Sequence, residues 1–197
     1  KWHLGHAQQT FHPNNRGFEH FYGHLHTEVG YYPPFANQEG KDFQLNGISI
    51  NDQGYETDLL AEEASRYIRE RDPDKPFFLY LSYNGPYNLP PTVTMEPRNR
   101  HADYYKKNTP SMPQESIHPY LKNWAQGLRG PSNLMLKEGT TAWKAIEALN
   151  NKTAMINAAS ETTMVDDGVG TIMKTLKKLG MDDNTIVIYT SDQGASY

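Results

Sequence analysis

Cysteine is absent from the 197-residue chain, which excludes a disulfide scaffold and any cysteine-ligated zinc site. No apolar run approaches the ~20 residues that span a bilayer. A surplus of positive charge is also missing: the formal net charge is −4, which argues against binding nucleic acid by phosphate neutralisation. Leu, Ile, Val and Phe together supply fewer than one residue in five. Such scarcity signals disorder only when net charge is high; with 13 Tyr and 3 Trp, the composition instead describes a folded, aliphatic-poor chain. No G-x-S-x-G, P-loop or H-E-x-x-H motif occurs. There is no initiator Met or leader peptide, and the chain closes just after an apolar run. The expectation is an internal piece of a larger domain.

What is present is ordered as follows. Residues 1–54, rich in Gly, His, Asn and aromatics, read as loops with short strands. From 56 to 71, Leu59, Leu60, Ala64, Tyr67 and Ile68 fall on one face of a 3.6-residue period, and Asp72-Pro73 stops the helix. Phe77-Phe78-Leu79-Tyr80-Leu81-Ser82-Tyr83 is a short continuous apolar run, predicting a strand buried on both faces. Residues 84–140 hold most of the prolines and read as a long excursion with short helices, one near Tyr120–Gln126. A second helical pattern runs to Leu179, with Val165, Val169, Ile172, Met173, Leu176 and Leu179 on one face and Gly180 as the stop. Asp166-Asp167-Gly168-Val169-Gly170 falls inside it as a helix surface with a tolerated glycine pair. Thr185–Thr190 reads as another buried strand. Strand, helical crossover and strand predict an α/β sheet whose strands are largely parallel.

Ligands of open α/β sheets gather beyond the carboxyl ends of the strands. One such end carries Ser191-Asp192-Gln193-Gly194, where Asp192 and Gln193 offer the hard oxygens that Ca²⁺ or Mg²⁺ take; an ordinary Asx turn is the alternative. The other carries Asn84-Gly85-Pro86-Tyr87-Asn88, a turn able to hold polar groups over the same edge. Lys1 and His3, separated by one residue, point to the same side if the segment is extended. A cation beside a histidine suits a site where Lys holds an anion and His moves a proton. Six of the eight histidines precede residue 27. His20 and His24 have i, i+4 spacing, but Gly23 intervenes and no glutamate completes a zinc motif, so they read as loop histidines.

The order of these segments is more specific than any one of them. Lys1-Trp2-His3-Leu4-Gly5 resembles the K-W-H-L-G motif of the sulfatase family, and Arg16–Gly23 followed by Gly30-Tyr31-Tyr32 resembles its next segment. Asp58-Leu59-Leu60, Lys75–Leu81 with Asn84-Gly85-Pro86, and Val165–Gly194 are similar to the helix, strand and metal segments that follow there. Residues 92–150 stand outside the resemblance as a variable insertion. In it, Tyr104, Tyr105, Trp124 and Trp143 are available for stacking on a sugar or arene, or for packing under the loop.

The resemblance implies an alkaline-phosphatase-like α/β fold, a largely parallel sheet flanked by helices and present here as a partial domain. It implies one catalytic domain over 1–197 with the insertion at 92–150, the nucleophile segment lying upstream and a C-terminal subdomain beyond. The implied activity is sulfate-ester hydrolysis with a formylglycine nucleophile, expected upstream of residue 1, beside bound Ca²⁺ (Mg²⁺ also suits). Lys1 and His3 would be catalytic, Tyr87 and Asn88 would bind substrate, and Asp192 and Gln193 would be metal ligands. Two departures stand out: Ser111-Met112-Pro113-Gln114-Glu115 lacks the arginine of the nucleophile motif, and Tyr87 occupies a position where many members have His. The implied partner is a sulfated small molecule or glycan, with no nucleic acid and no membrane span, and the implied location periplasmic, secreted or lysosomal. The rival readings are a phosphonate monoester or phosphodiester hydrolase of the same superfamily, and a non-catalytic binding relative.

Overall fold

The computed structural model describes residues 1–27, 29–32, 36–37, 40–87, 97–110 and 152–191. The chain separates into two compact units, one of residues 1–87 and 163–186, the other of 88–162 and 187–197. The insertion expected at 92–150 falls within the second unit. The helix expected near Tyr120–Gln126, together with Trp124, Trp143 and the Ser111–Glu115 segment, lies outside the described residues.

The first unit opens on two 3₁₀ turns, Gln9–Phe11 and Pro13–Asn15. A small antiparallel sheet follows, built from β1 (Tyr22–Gly23), β4 (Gln44–Leu45) and β5 (Ile48–Ser49), in that order. Between them β2 (Ala36–Asn37) pairs with β3 (Gly40–Lys41). Asn46 and Gly47 join β4 to β5 with φ of 50° and 84°, the two positive values a type I′ hairpin requires. Asn46 Oδ1 accepts from Phe21 N at 2.8 Å, tying the turn to the strand entry.

Helix α1 (Glu56–Glu70) has Glu56 and Asp58 in its first turn, favourable to the helix dipole. It buries Leu60, Ala61, Ala64 and Ile68, the face expected from the periodicity. Leu60 meets Phe43 and Val29, with Tyr22, Ile50, Leu81 and Tyr83 packed around them. Phe43 is fully buried, and truncation of such a side chain to Ala costs about 3–5 kcal/mol.

Helix α2 (Ala102–Lys107) belongs to the second unit. Helix α3 (Lys152–Lys178) is the long predicted helix. It buries Met164, Val165 and Leu176, whereas Met173 and Leu179 of the expected face are exposed. Gly180 adopts φ 65°; Met181 N donates to Leu176 O at 2.9 Å and Gly180 N to Lys177 O at 3.0 Å, the paired bonds of a Schellman stop.

The two apolar runs differ from expectation. Neither 77–83 nor 185–190 belongs to a strand ladder, and the ladders among the described residues are all antiparallel. In the first run Phe78 is 75% exposed and Tyr80 59%; in the second Ile186 is 90% and Ile188 81%. In 77–81 exposure alternates residue by residue, the strand-like pattern of a face that meets no neighbour, whereas 186–190 are exposed throughout. The runs carry the composition of buried parallel strands, but burial on both faces needs layers from elsewhere.

Candidate active site

Lys1-Trp2-His3 is pinned from two directions. The main-chain nitrogen of Lys1 donates to Ser82 O at 2.9 Å, while Trp2 N donates to His24 O at 2.9 Å and His3 N to Leu25 O at 3.0 Å. The Trp2 indole donates to Phe11 O at 2.8 Å and meets Phe18 edge-on. The segment bridges the β1 exit and the end of the apolar run, and its residues have little freedom to drift.

Just past that end of the run, Asn84-Gly85-Pro86-Tyr87 closes a turn in which Tyr87 N donates to Asn84 O at 3.1 Å. The turn brings Tyr87 under Lys1. Lys1 Nζ stands over the ring, 5.0 Å from its centre, within the ~6 Å of a cation–π contact. Two of the sequence-predicted site residues, 86 positions apart, are therefore adjacent. His3 is exposed, and its φ is 49°. The extended alternation that would align it with Lys1 thus ends at Trp2, a correction to the spacing argument. A left-handed φ is uncommon for a non-glycine residue and is found disproportionately at functional sites. Asn88, Asp192 and Gln193 lie outside the described residues.

Beneath the site sits His24, fully buried. Its Nδ1–H donates to His26 O at 3.1 Å, leaving Nε2 facing Glu56 Oε1 at 3.9 Å. That approach would be an ion pair only with the ring protonated, and burial opposes protonation, holding the His24 pKa down to about 2. The ring is neutral. His20 points elsewhere, bonding Glu63 at 2.7 Å and stacking on Tyr67. His20 and His24 do not converge, and no group of three or more His, Asp or Glu among the described residues is arranged to hold a metal.

Local spacing marked the turn at Asn84–Asn88 but not the bonds that fix it. Asn84 Nδ2 donates to Val29 O at 3.0 Å, and the Tyr31 hydroxyl donates to Tyr87 O at 3.0 Å. Tyr31 itself stacks on Tyr55, ring centres 5.5 Å apart and 6° from parallel, and its carbonyl accepts from Glu56 N, the first N–H of α1. The visible sequence signal was the Gly30-Tyr31-Tyr32 triplet.

A lysine ammonium thus stands over an aromatic ring just past the end of an apolar run, on a mixed helix–sheet scaffold. The sulfatase family model matches residues 1–197, and the chain belongs to the sulfatase family. It is 27% identical over 241 residues to N-acetylglucosamine-6-O-sulfatase of Bacteroides thetaiotaomicron, covering 98% of this chain and 41% of that protein. It is 26% identical over 210 residues to an arylsulfatase of Klebsiella aerogenes, covering 100% of this chain and 44% of that one. Among solved structures, that of BT4656 in complex with its substrate D-glucosamine-2-N,6-O-disulfate superposes with a TM-score of 0.59 at 20% identity, over 93% of this chain and 44% of that one. This likeness shows a shared fold. The chain spans less than half the length of these relatives. Among the described residues, no helix is long and apolar enough to cross a membrane.

Proposed function

We propose that the protein carrying this chain hydrolyses sulfate esters, and that Lys1 and Tyr87 lie at the sulfate. The observation that carries the reading is Lys1 Nζ poised 5.0 Å over the Tyr87 ring in a chain of this family. Lys1 carries a point charge suited to an oxyanion, and its value rises in the transition state, where charge moves toward the leaving oxygen. Tyr87 contributes a hydroxyl able to donate to a sulfate oxygen and a ring that limits where the ammonium can go. His3 is assigned the proton transfer that frees sulfate, and Asn88 a polar contact to the substrate.

Two groups complete the proposal. Asp192 and Gln193 would hold Ca²⁺, or Mg²⁺, through hard oxygens, and the cation would supply positive charge to the sulfate. A formylglycine upstream of Lys1 would supply the nucleophile. The apolar runs at 77–83 and 185–190 are then central strands of a largely parallel, alkaline-phosphatase-like sheet. The relatives' names support sulfated glycans as the substrate class; the family resemblance suggests a periplasmic, secreted or lysosomal setting.

The test is turnover by the intact protein of an aryl sulfate and of N-acetylglucosamine 6-sulfate, with a phosphonate monoester as the rival. Sulfate release is expected, and Lys1→Met should lower kcat/KM by about 100- to 1,000-fold, as for loss of one oxyanion donor. Turnover of the phosphonate with none of either sulfate would overturn the proposal.

A further inference from the structure

We infer that Tyr31 is a positioning residue, which sets the Tyr87 ring beneath Lys1 and thereby tunes the affinity of the site for sulfate. The inference rests on the reading of Lys1 and Tyr87 given above. The turn 84–87 is gripped at both ends by one short segment: Asn84 Nδ2 bonds Val29 O at one end, and the Tyr31 hydroxyl bonds Tyr87 O at the other. The gripping segment is itself anchored. Tyr31 O receives the first N–H of α1, from Glu56, and the Tyr31 ring stacks on Tyr55, against which Tyr32 also packs at 5.1 Å and 79°. A Cβ added at Gly85 would lie 3.5 Å from the Tyr31 hydroxyl, so the phenol fits directly against the turn's backbone.

The chemistry of the grip matters. The bond from Tyr31 reaches the main-chain carbonyl of Tyr87 and leaves the Tyr87 side chain to the site. The turn, closed by the main-chain bond from Tyr87 N to Asn84 O, thus gains a tether at the residue whose ring meets the ammonium. Displacing that ring by 1 Å changes both the cation–π contact and where Lys1 can reach, and misplacements of that size are costly at reacting centres. Helix α1, through Glu56 N, Tyr31 and Tyr87, is in this way coupled to the charge that meets the anion.

The experiment uses the intact protein, ¹³C-labelled on lysine, with the Lys1 signal assigned by Lys1→Arg. Inorganic sulfate is the probe of the site. In the wild type the Lys1 side-chain resonances should be displaced upfield by the Tyr87 ring, and the displacement should vanish in Tyr87→Ala. Tyr31→Phe keeps the stack on Tyr55 and removes only the hydroxyl. It should shrink the upfield displacement and weaken sulfate binding about 3- to 10-fold, no more than one neutral hydrogen bond is worth, with a small fall in the thermal midpoint. In the Tyr87→Ala background the same substitution should change sulfate affinity no further, since the ring it positions is gone. An unaltered Lys1 signal in Tyr31→Phe, or an equal loss of affinity with and without the Tyr87 ring, would overturn the inference. A Lys1 signal that responds to Tyr31→Phe, together with no sulfate binding by the wild type, would support the positioning and overturn the reading of the site instead.

Discussion

A Cβ placed on Gly168 would stand 2.5 Å from the Tyr83 hydroxyl and 3.3 Å from Ala61 Cβ. Helix α3, helix α1 and the apolar run therefore approach one another through a glycine in the middle of a helix, a place where glycine costs about 1 kcal/mol relative to alanine. The contact explains what the helical pattern alone could only call tolerated. Tyr83 fills the space, with its hydroxyl oxygen buried and its pKa raised by that burial.

Gly168→Ala should consequently destabilise the protein although it improves helix propensity. Overpacking costs about 1–3 kcal/mol, which exceeds the propensity gain. Adding Tyr83→Phe, which removes the oxygen the methyl would strike, should recover part of the loss. Denaturant midpoints of the three variants measure this, and a stabilised Gly168→Ala would show the approach to be looser than described.

His24 makes stability depend on pH with a definite sign. In the unfolded chain it takes up a proton near pH 6.5, whereas burial holds its folded pKa at about 2. Between those values the unfolded state binds more protons, so stability falls as pH drops below about 6.5 and the full contribution is kept above it. His24→Asn, which retains a donor for His26 O, should flatten the decline of the unfolding midpoint between pH 7.5 and 5. A wild-type slope in that variant would assign the acid sensitivity to other groups.

Asp192→Ala is expected to weaken Ca²⁺ binding by the intact protein by at least about 10- to 100-fold, since even residues that merely support metal ligands command that range. Calorimetric titration of chelator-treated protein gives the comparison. An unchanged Kd would remove Asp192 from the ligand set.

Helices α1 and α3 were legible from sequence because a single amphipathic face recurs over many residues, and because Asp72-Pro73 and Gly180 act locally at their ends. The β4–β5 hairpin had a local signal too, Asn46-Gly47, but strands of two residues are too short to show alternation. Burial of 77–83 was misjudged for a different reason: it depends on which layers cover Phe78 and Tyr80, and no local pattern encodes that. At the site, Lys1 and Tyr87 came together through the ordered resemblance of distant segments, since local spacing carries no information on a contact 86 residues apart. The alignment of Lys1 with His3 assumed an extended backbone, and the left-handed φ of His3 breaks that assumption. Tyr31 acts through its hydroxyl on a main-chain carbonyl, a role any tyrosine could play, so composition could not mark it.

The exposed residues of the two apolar runs carry a practical consequence. Phe78 and Tyr80 in one, and Ile186 and Ile188 in the other, present β-branched and aromatic side chains to water on backbone that joins no ladder. Surfaces of that kind recruit further strands edge to edge, which proteins ordinarily prevent with charges, prolines or covering elements. Handled as an isolated 197-residue polypeptide, the chain is therefore prone to self-association and precipitation, and its solubility would report how well those two runs are covered.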